Sequence, residues 1–190
     1  IYQCDWSSDV CSSDLIRIAA QKTGTFAWEL EVMRAKGLDK AADLDLVVTE
    51  LASPEAGKIA LKGGSADLIV SDVMWVARER AVGGSLLYYP YTSTLGAIMT
   101  PANSPIAGIE TLTGKKFGVA GGALDKSWLL LQGLAKRQGL DLRTAATISY
   151  GAPPLLSQKA IQGEHDATLT FWNFAAQLEG KGFTPAIDIA

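Results

Sequence analysis

The sequence predicts an α/β fold made of two similar lobes, each a parallel β-sheet flanked by helices. Apolar runs of strand length alternate with helical patterns between residues 15 and 182, and this order is typical of parallel strands joined by helical crossovers. The same series recurs after about 100 residues, and so long a period indicates two lobes rather than a solenoid. We therefore expect two Rossmann-like lobes, one in residues 15–90 and one in residues 91–190.

The first lobe contains three strand-and-helix pairs in chain order. The run IRIAA (Ile16–Ala20) precedes the helical pattern FAWELEVMRAKGL, which ends at Gly37. The run LDLVVTE precedes SPEAGKIALKGG, in which Pro54 suits the first turn of a helix. The run ADLIVS precedes DVMWVARER.

The segment SLLYYPYTSTLGAIMTPANSP lies between the two lobes. It holds two strand-like runs, Ser85–Tyr89 and Leu95–Thr100, on either side of Pro90. We interpret it as the crossover between the lobes and as a candidate hinge, and an ordinary loop explains its composition equally well.

The second lobe repeats the pattern of the first. KFGVAGG (Lys116–Gly122) precedes DKSWLLLQGLAKRQGL, TAATISYG precedes APPLLSQKAIQG, and DATLTF precedes WNFAAQLEGKG. Several positions match between the lobes at a nearly constant offset: Pro54–Gly64 with Pro153–Gly163, Asp67 with Asp166, and Trp28 with Trp128.

Residues 1–14 differ in character from the rest of the chain. The stretch IYQCDWSSDVCSSD holds both cysteines and has no hydrophobic period. It lacks the basic and apolar regions of a secretory signal peptide. A disordered arm with a disulfide is one interpretation. The amino-acid sequence of this stretch, however, resembles the translation of sequencing-adapter DNA that occurs at the ends of metagenome-derived reading frames. We exclude these residues from the fold and expect the native start, with any export signal, to be missing.

The composition of the remaining residues excludes or disfavours several classes of function. Without the three aspartates of the leader, 17 acidic residues balance 17 basic ones, so no nucleic-acid partner is indicated. No cysteine remains, which suits an oxidising compartment but is also common in the cytosol. His165 is the only histidine. A zinc site and a Ser-His-Asp triad are therefore disfavoured, and we expect no metal, no cofactor and no catalytic residue.

From residue 15 onward the chain resembles the periplasmic solute-binding proteins of ABC importers, in the branch of nitrate, sulfonate, taurine and thiamine-precursor receptors. The stretches that carry the resemblance are GKIALKGGSADLIVSD, IETLTGKKFGVAGG, DKSWLLLQGLAKRQGLDL and APPLLSQKAIQGEHDATLTFWNFAAQLEGKGF. The resemblance implies a type II periplasmic binding fold. Such proteins are longer, so we expect the C-terminal part of the fold to be missing.

The resemblance also implies a function. It predicts a periplasmic or lipid-anchored receptor that binds a small polar organic molecule in the cleft between the lobes. Such a receptor delivers its solute to a membrane permease, acts as a monomer and catalyses no reaction. Two alternatives stay open: an enzyme on the same fold, of the menaquinone-pathway or pyrimidine-synthesis type, and the ligand-sensing domain of a regulator.

The expected site follows from the architecture. In open parallel sheets, ligands bind beyond the carboxyl ends of the strands, where helix N-termini present unpaired N–H groups. The resemblance points to the same loops. Six loops meet this condition: Gln21–Phe26, Glu50–Pro54, Ser71–Trp75, Gly121–Trp128, Tyr150–Pro153 and Phe171–Asn173.

Within these loops, small, polar and aromatic residues are the candidate ligand-binding residues. Thr25, Asp72 and Asp125 can each serve instead as the cap of the following helix. The carboxylates disfavour a bare inorganic anion and favour a polar organic molecule with an apolar portion. The candidates are Thr23, Gly24, Thr25, Ser71, Asp72, Gly121, Gly122, Asp125, Tyr150, Trp172 and Asn173.

The aromatic residues divide by position. Trp28 and Trp128 lie one turn into their helices among apolar neighbours, so we expect both in the core. Trp75, Tyr150 and Trp172 lie just past strand ends, where a ring has less reason to be buried.

Trp172 and Asn173 form the pair that we most expect to face a ligand. The ring can cover an apolar or cationic group, and the amide can orient a polar one. The repeat places their counterparts in the first lobe in the loop that holds Ser71 and Asp72. His165, in the turn QGEHDA, is expected to be solvated.

Overall fold

The computed structural model describes residues 14–93 and 95–188. The predictions made for residues 1–13 lie outside the described residues. The chain divides into two compact units, unit 1 ending at Val70 and unit 2 beginning at Ser71. The sequence repeat puts the lobe boundary later, at residue 90, and that boundary stays a prediction.

Unit 1 is a three-stranded parallel sheet with helical crossovers. The strand order is β2-β1-β3, with both pairings to β1 parallel. The predicted third strand is short, only two residues long, and β1 begins earlier than predicted, because the Asp14 N–H donates to the Asp43 carbonyl at 2.9 Å. The elements are β1 (Asp14–Gln21), α1 (Thr25–Lys36), α2 (Leu38–Ala41), β2 (Leu44–Leu51), α3 (Pro54–Lys62) and β3 (Leu68–Ile69).

The helix boundaries of unit 1 follow its local sequence. Gly37 has φ 63° at the end of α1, and its N–H donates to the carbonyls of Met33 and Arg34, as glycine at a helix C-terminus commonly does. Ser53 caps α3 by accepting the Ala56 N–H at 3.3 Å, and Pro54 occupies the first turn as predicted.

The core of unit 1 is small. Its buried cluster consists of Ile18, Ala20 and Leu30, with partly buried neighbours packed around them. Trp28, expected in the core, is instead 51% exposed. Leu30 faces inward on α1, and a residue two positions earlier lies about 200° around the helix, on the opposite side.

Unit 2 contains a five-stranded mixed sheet with the order β6-β5-β7-β4-β8. Strand β5 pairs in parallel with β6 and β7, while β4 runs antiparallel to β7 and β8. Its elements are α4 (Val73–Ala81), β4 (Ala97–Pro101), a 3₁₀ turn (Ile109–Leu112), β5 (Lys116–Ala120), α5 (Lys126–Arg137), α6 (Leu142–Ala145), β6 (Thr147–Gly151), α7 (Pro153–Ile161), β7 (Ala167–Thr170), α8 (Trp172–Glu179) and β8 (Phe183–Asp188).

The segment before β4 departs from its prediction. Ser85–Tyr89, predicted as strand-like, forms no strand, whereas Leu95–Thr100 overlaps β4. Leu87 and Tyr89 are strongly exposed, so apolar composition in this segment does not reflect pairing in a sheet.

The core of unit 2 is built around Trp128, which is fully buried as predicted. Its ring centroid lies 6.1 Å from that of Phe117 on β5. Burying rings of this size contributes several kcal/mol through the hydrophobic effect, at about 25 cal/mol per Å² of apolar surface. The fully buried neighbours in this cluster are Ile98, Leu112, Phe117, Val119, Leu131, Leu142 and Leu169.

The matched aspartates of the repeat play the same structural role in each unit. The Asp67 carboxylate accepts the N–H of Arg17 on β1 at 2.9 Å. The Asp166 carboxylate accepts the N–H of Lys116 on β5 at 2.7 Å. In each unit the bond joins the turn before one strand, β3 or β7, to the neighbouring strand, β1 or β5. The sequence repeat therefore corresponds to a structural repeat.

Candidate functional site

The carboxyl ends of three parallel strands meet at one edge of the unit 2 sheet. Strands β6, β5 and β7 are neighbours in that order and end at Gly151, Ala120 and Thr170. The N–H of Gly121 donates to the Gly151 carbonyl at 3.2 Å, which ties two of the following loops together. We call this edge, with the loops after β5, β6 and β7, the carboxyl edge of unit 2.

The loop after β5 depends on two glycines. Gly121 and Gly122 have φ of 91° and 118°, which other residues rarely adopt. A Cβ at Gly121 would also lie 2.9 Å from Asp125 Oδ2. Both glycines therefore let the backbone turn closely past the Asp125 carboxylate.

Asp125 is the cap of α5, as one of its two interpretations predicted. Its Oδ1 accepts the N–H of Ser127 at 2.8 Å and that of Trp128 at 3.3 Å. Burial raises the pKa of this carboxyl to about 6, although the two N–H donors act to lower it. The negative charge of Asp72 adds to the rise, so the two carboxylates lie in the same neighbourhood.

Asp72 is likewise a helix cap, accepting the Trp75 N–H at 2.7 Å at the start of α4. Trp75 itself is buried, contrary to the sequence expectation, because it lies in the first turn of α4 on the side that packs inward with Val76. The Ser71 hydroxyl is enclosed and has no hydrogen-bond partner among the described residues. Both Ser71 and Asp72 belong to unit 2, whereas the sequence repeat assigns them to the first lobe.

Trp172 and Asn173 form the first turn of α8, immediately after β7. The Trp172 ring is 43% exposed, while Asn173 is only 6% exposed. Asn173 Nδ2 is enclosed without a partner in the part of the chain that the structure describes. No side chain described here caps α8, so the N–H groups of Trp172 and Asn173 at its start are suited to donate to an acceptor from elsewhere.

Tyr150 lies near the end of β6 and is 44% exposed. Its ring meets the buried Trp128 ring edge to face, with centroids 6.3 Å apart. The contact with the core holds one side of the tyrosine ring and leaves the other accessible at the carboxyl edge.

One residue of this edge was missed by the sequence analysis. The Thr170 hydroxyl, at the end of β7, is buried without a partner among the residues described. The offset that matches Asp67 with Asp166 also matches Ser71 with Thr170, and both have enclosed hydroxyls. Comparing the two halves of the repeat a few residues further along would have identified Thr170 as a candidate.

The candidates of unit 1 lie in the loop after β1. Gly24, not Thr25, occupies the N-cap position of α1, and it makes no side-chain cap, so capping by Thr25 was a wrong interpretation. Thr23 lies exposed in the preceding turn. Lys22 approaches Glu50 at 3.7 Å, and both side chains are largely exposed, so this ion pair contributes little to stability.

His165 is the clearest departure from the sequence expectation. It lies in the turn before β7, as predicted, but it is 6% exposed rather than solvated. The reason is Gly118 on β5, whose missing side chain leaves room for the imidazole. This turn leads into the amino end of β7, opposite the carboxyl edge.

Two further features bear on the class of protein. None of the helices in residues 14–93 and 95–188 combines the length and apolar character needed to cross a bilayer. In the same ranges, histidine, cysteine, aspartate and glutamate form no group of three or more suited to a metal ion.

The fold is similar to that of solved periplasmic binding proteins. The periplasmic aliphatic sulphonate binding protein SsuA from Escherichia coli matches with a TM-score of 0.69 and 24% identity, over 92% of this chain and 60% of that one. The alkanesulfonate-binding protein SsuA from Xanthomonas axonopodis pv. citri, bound to MOPS, matches with a TM-score of 0.73 and 22% identity, over 94% and 62%. These likenesses establish the type II periplasmic binding fold predicted from the sequence.

A more distant structure has the same fold. A binding protein component of an ABC phosphonate transporter from Pseudomonas aeruginosa matches with a TM-score of 0.67 and 11% identity, over 92% of this chain and 65% of that one. The chain thus spans about three fifths of the length of the two SsuA proteins.

Comparison with curated protein sequences gave no match. A family model described as NMT1/THI5 like matches residues 30–187. This match covers most of the chain, from α1 to β8. The chain therefore belongs to the NMT1/THI5-like family.

Proposed function

We propose that the complete protein is an extracytoplasmic solute-binding receptor of an ABC importer. It binds a small polar organic molecule, delivers it to a membrane permease and carries out no reaction. The family, the fold and the solved periplasmic binding proteins that share this fold support the proposal. Export to the periplasm, a monomeric state and the absence of a nucleic-acid partner are parts of the same proposal.

The observation that carries the proposal is the composition of the carboxyl edge of unit 2. It combines two partly exposed aromatic rings, Tyr150 and Trp172, with the half-buried Asp125 carboxyl. It also has the uncapped N-terminus of α8 and the enclosed amide of Asn173. Apolar surface beside a few fixed polar groups is the usual make-up of a small-molecule site.

The charge at this edge favours one class of solute. Asp125 and Asp72 together disfavour a bare inorganic anion, since repulsion would oppose the attraction of the helix N-termini. We propose a solute with an N–H donor for Asp125 and an apolar portion for Trp172. An acceptor group on the same molecule would suit the first turn of α8.

The enzyme alternative has less support. General acid-base and nucleophilic catalysis most often use histidine or cysteine. His165 is the sole histidine, and it lies in the turn before β7 rather than at the carboxyl edge. Carboxylates and lysines remain as candidates, among them the half-buried Asp125, whose hydrogen bonds to α5 already account for its position.

A solute panel tests the proposal. The purified protein would be titrated with an aliphatic amine, an aromatic amine, an amide, an alkanesulfonate and inorganic sulfate, with binding measured by calorimetry and by the rise in thermal midpoint. We expect an organic solute with an N–H donor to bind best. Preferential binding of sulfate, or turnover of any bound compound, would overturn the proposal.

The variant Trp172→Ala tests the location of the site. We expect about thirtyfold weaker binding of the best solute, equivalent to about 2 kcal/mol. The loss of stability should stay below the ~3–5 kcal/mol typical of a core aromatic, because the ring is partly exposed. Trp28→Ala, which removes a similarly exposed ring from unit 1, is the matched control and should leave affinity unchanged. Unchanged affinity in Trp172→Ala would place the site elsewhere.

A further inference from the structure

A buried histidine connects three neighbouring strands of the unit 2 sheet. Gly118 on β5 is in register with Ser149 on β6 and with Thr168 on β7. The His165 ring covers Gly118, since a Cβ there would lie 2.7 Å from His165 Nδ1 and 3.0 Å from Cε1. The glycine is therefore what makes room for the ring on the sheet.

The ring makes its hydrogen bond to the edge strand. His165 Nε2 and Ser149 Oγ lie 2.6 Å apart, a short hydrogen bond in either tautomer. Among the described residues, strand β6 pairs only with β5, and it contains no fully buried residue. The bond to His165 adds, to the backbone pairing with β5, an attachment that reaches past β5 to the turn before β7.

The other ring nitrogen has no such bond. His165 Nδ1 is enclosed and finds no partner among the described residues. A neutral imidazole tolerates this, because one of its nitrogens can remain an acceptor. A protonated imidazole has two N–H donors, and its second donor would be buried, charged and without an acceptor.

The surrounding charges do not favour the protonated ring. Four charged groups face it: Lys159 on α7, Lys116 on β5, and Glu164 and Asp166 in its own turn. Lys159 pairs with Glu164 at 3.0 Å, and Asp166 accepts the Lys116 backbone N–H at 2.7 Å. Burial, followed by the charge of Lys159, lowers the pKa of His165 below its ordinary value of 6.5.

We propose that His165 makes the attachment of strand β6 sensitive to acid. On protonation the imidazole is more stable in water than over Gly118, so it leaves its position and the bond to Ser149 is lost. Strand β6 then opens more often, while β5 stays paired with β7 on its other side. This inference does not rest on the proposed solute binding.

Amide hydrogen exchange combined with NMR titration tests the proposal. The imidazole signal of the sole histidine would be followed from pH 8 to pH 5, with exchange protection factors measured for the β6 and β5 amides. We expect a titration midpoint below 6.5. Protection of β6 should fall by up to about tenfold between pH 7.5 and pH 5.5, one pH unit below the ordinary histidine pKa, with a smaller change in β5.

The variant His165→Gln removes the titrating group and keeps a polar side chain. Its β6 protection should show no fall between pH 7.5 and pH 5.5, whereas Ser149→Ala should lower β6 protection already at pH 7.5. A fall toward acid that persists in His165→Gln would overturn the proposal. Should that variant not fold, the wild type decides: a midpoint at or above 6.5, or β6 protection that does not fall between pH 7.5 and pH 5.5, overturns the proposal equally.

Discussion

At the scale of single residues, Asp125 shows two opposed effects on stability. Its carboxylate satisfies two N–H groups at the start of α5, and such a cap typically contributes about 1 kcal/mol. Burial of the same group penalises its charge and raises its pKa to about 6. The folded protein therefore holds a proton on Asp125 more tightly than the unfolded chain does.

The variant Asp125→Asn should remove a pH dependence of this origin. Because the folded pKa is raised, the stabilisation by protonation is complete below the unfolded pKa of 3.8 and is lost as the pH rises through about 6. Asparagine caps a helix as well as aspartate does. We expect the free energy of unfolding of the wild type, relative to the variant, to fall by up to about 3 kcal/mol between pH 4 and pH 7.

Urea denaturation at pH 4, 5, 6 and 7 measures this difference. Asp141→Asn is a matched control, because Asp141 also caps a helix through the Arg143 N–H. Its hydrogen bonds to the Arg143 side chain lower the pKa of Asp141, so its contribution is lost as the pH falls and the difference has the opposite sign. A wild-type-minus-Asp125→Asn difference that is constant with pH contradicts the prediction.

At the scale of elements, the start of β4 depends on a close backbone approach. Gly96 is buried just before β4, where a Cβ would overlap the carbonyl oxygen of Thr170 on β7. The obstacle is backbone rather than the flexible end of a side chain. The antiparallel pairing of β4 with β7 could not keep its spacing with any larger residue there.

Gly96→Ala is therefore expected to destabilise unit 2 by about 3 kcal/mol or more, as overpacking at a rigid site does. Chemical denaturation monitored by the fluorescence of the buried Trp128 would measure the loss. A change smaller than about 1 kcal/mol would mean that β4 can shift away from β7 at little cost.

For Gly133→Ala, in the same unit, we expect an increase in stability rather than a loss. Gly133 lies exposed in the middle of α5, and a Cβ there would meet no heavy atom within 4 Å. Glycine in a helix interior is less stable than alanine by about 0.5–1 kcal/mol. We expect a gain of that size in unfolding free energy by the same denaturation, and a loss would contradict it.

At the scale of the whole molecule, the two units differ in the size of their cores. The main cluster of unit 2 includes fully buried Trp128, Phe117 and Leu131, whereas the buried cluster of unit 1 is Ile18, Ala20 and Leu30. Strand β2 of unit 1 has no fully buried residue. Local opening requires less free energy where fewer apolar contacts are lost.

Hydrogen exchange should therefore distinguish the units. We expect amides of β1, the central strand of unit 1, to exchange faster than amides of β5, which likewise pairs on both sides in the unit 2 sheet. Mass spectrometry of peptides covering residues 16–20 and 117–120 makes the comparison. Slower exchange in residues 16–20 than in residues 117–120 would show that the size of the core does not determine which unit is more stable.

Much of the fold follows from the sequence because its signals are local. Alternating apolar runs, Pro54 in a first turn, Gly37 after α1, and the carboxylates of Asp72 and Asp125 before their helices each act within a few residues. The repeat adds a long-range signal, which the equivalent bonds of Asp67 and Asp166 confirm as a structural repeat.

Tertiary structure decided the features that depend on residues far apart in the chain. Trp75 is buried and Trp28 exposed because packing partners, not local composition, select the inward face of a helix. His165 is buried because Gly118, 47 positions earlier in the numbering, leaves space on the neighbouring strand. The sequence alone thus determined most of the alternation of strands and helices and the edge of the sheet at which helices begin. Only the tertiary structure decided which side chains lie exposed at that edge. The pairing of strands β6, β5 and β7 brings distant residues together, and the burial of a side chain depends on those neighbours.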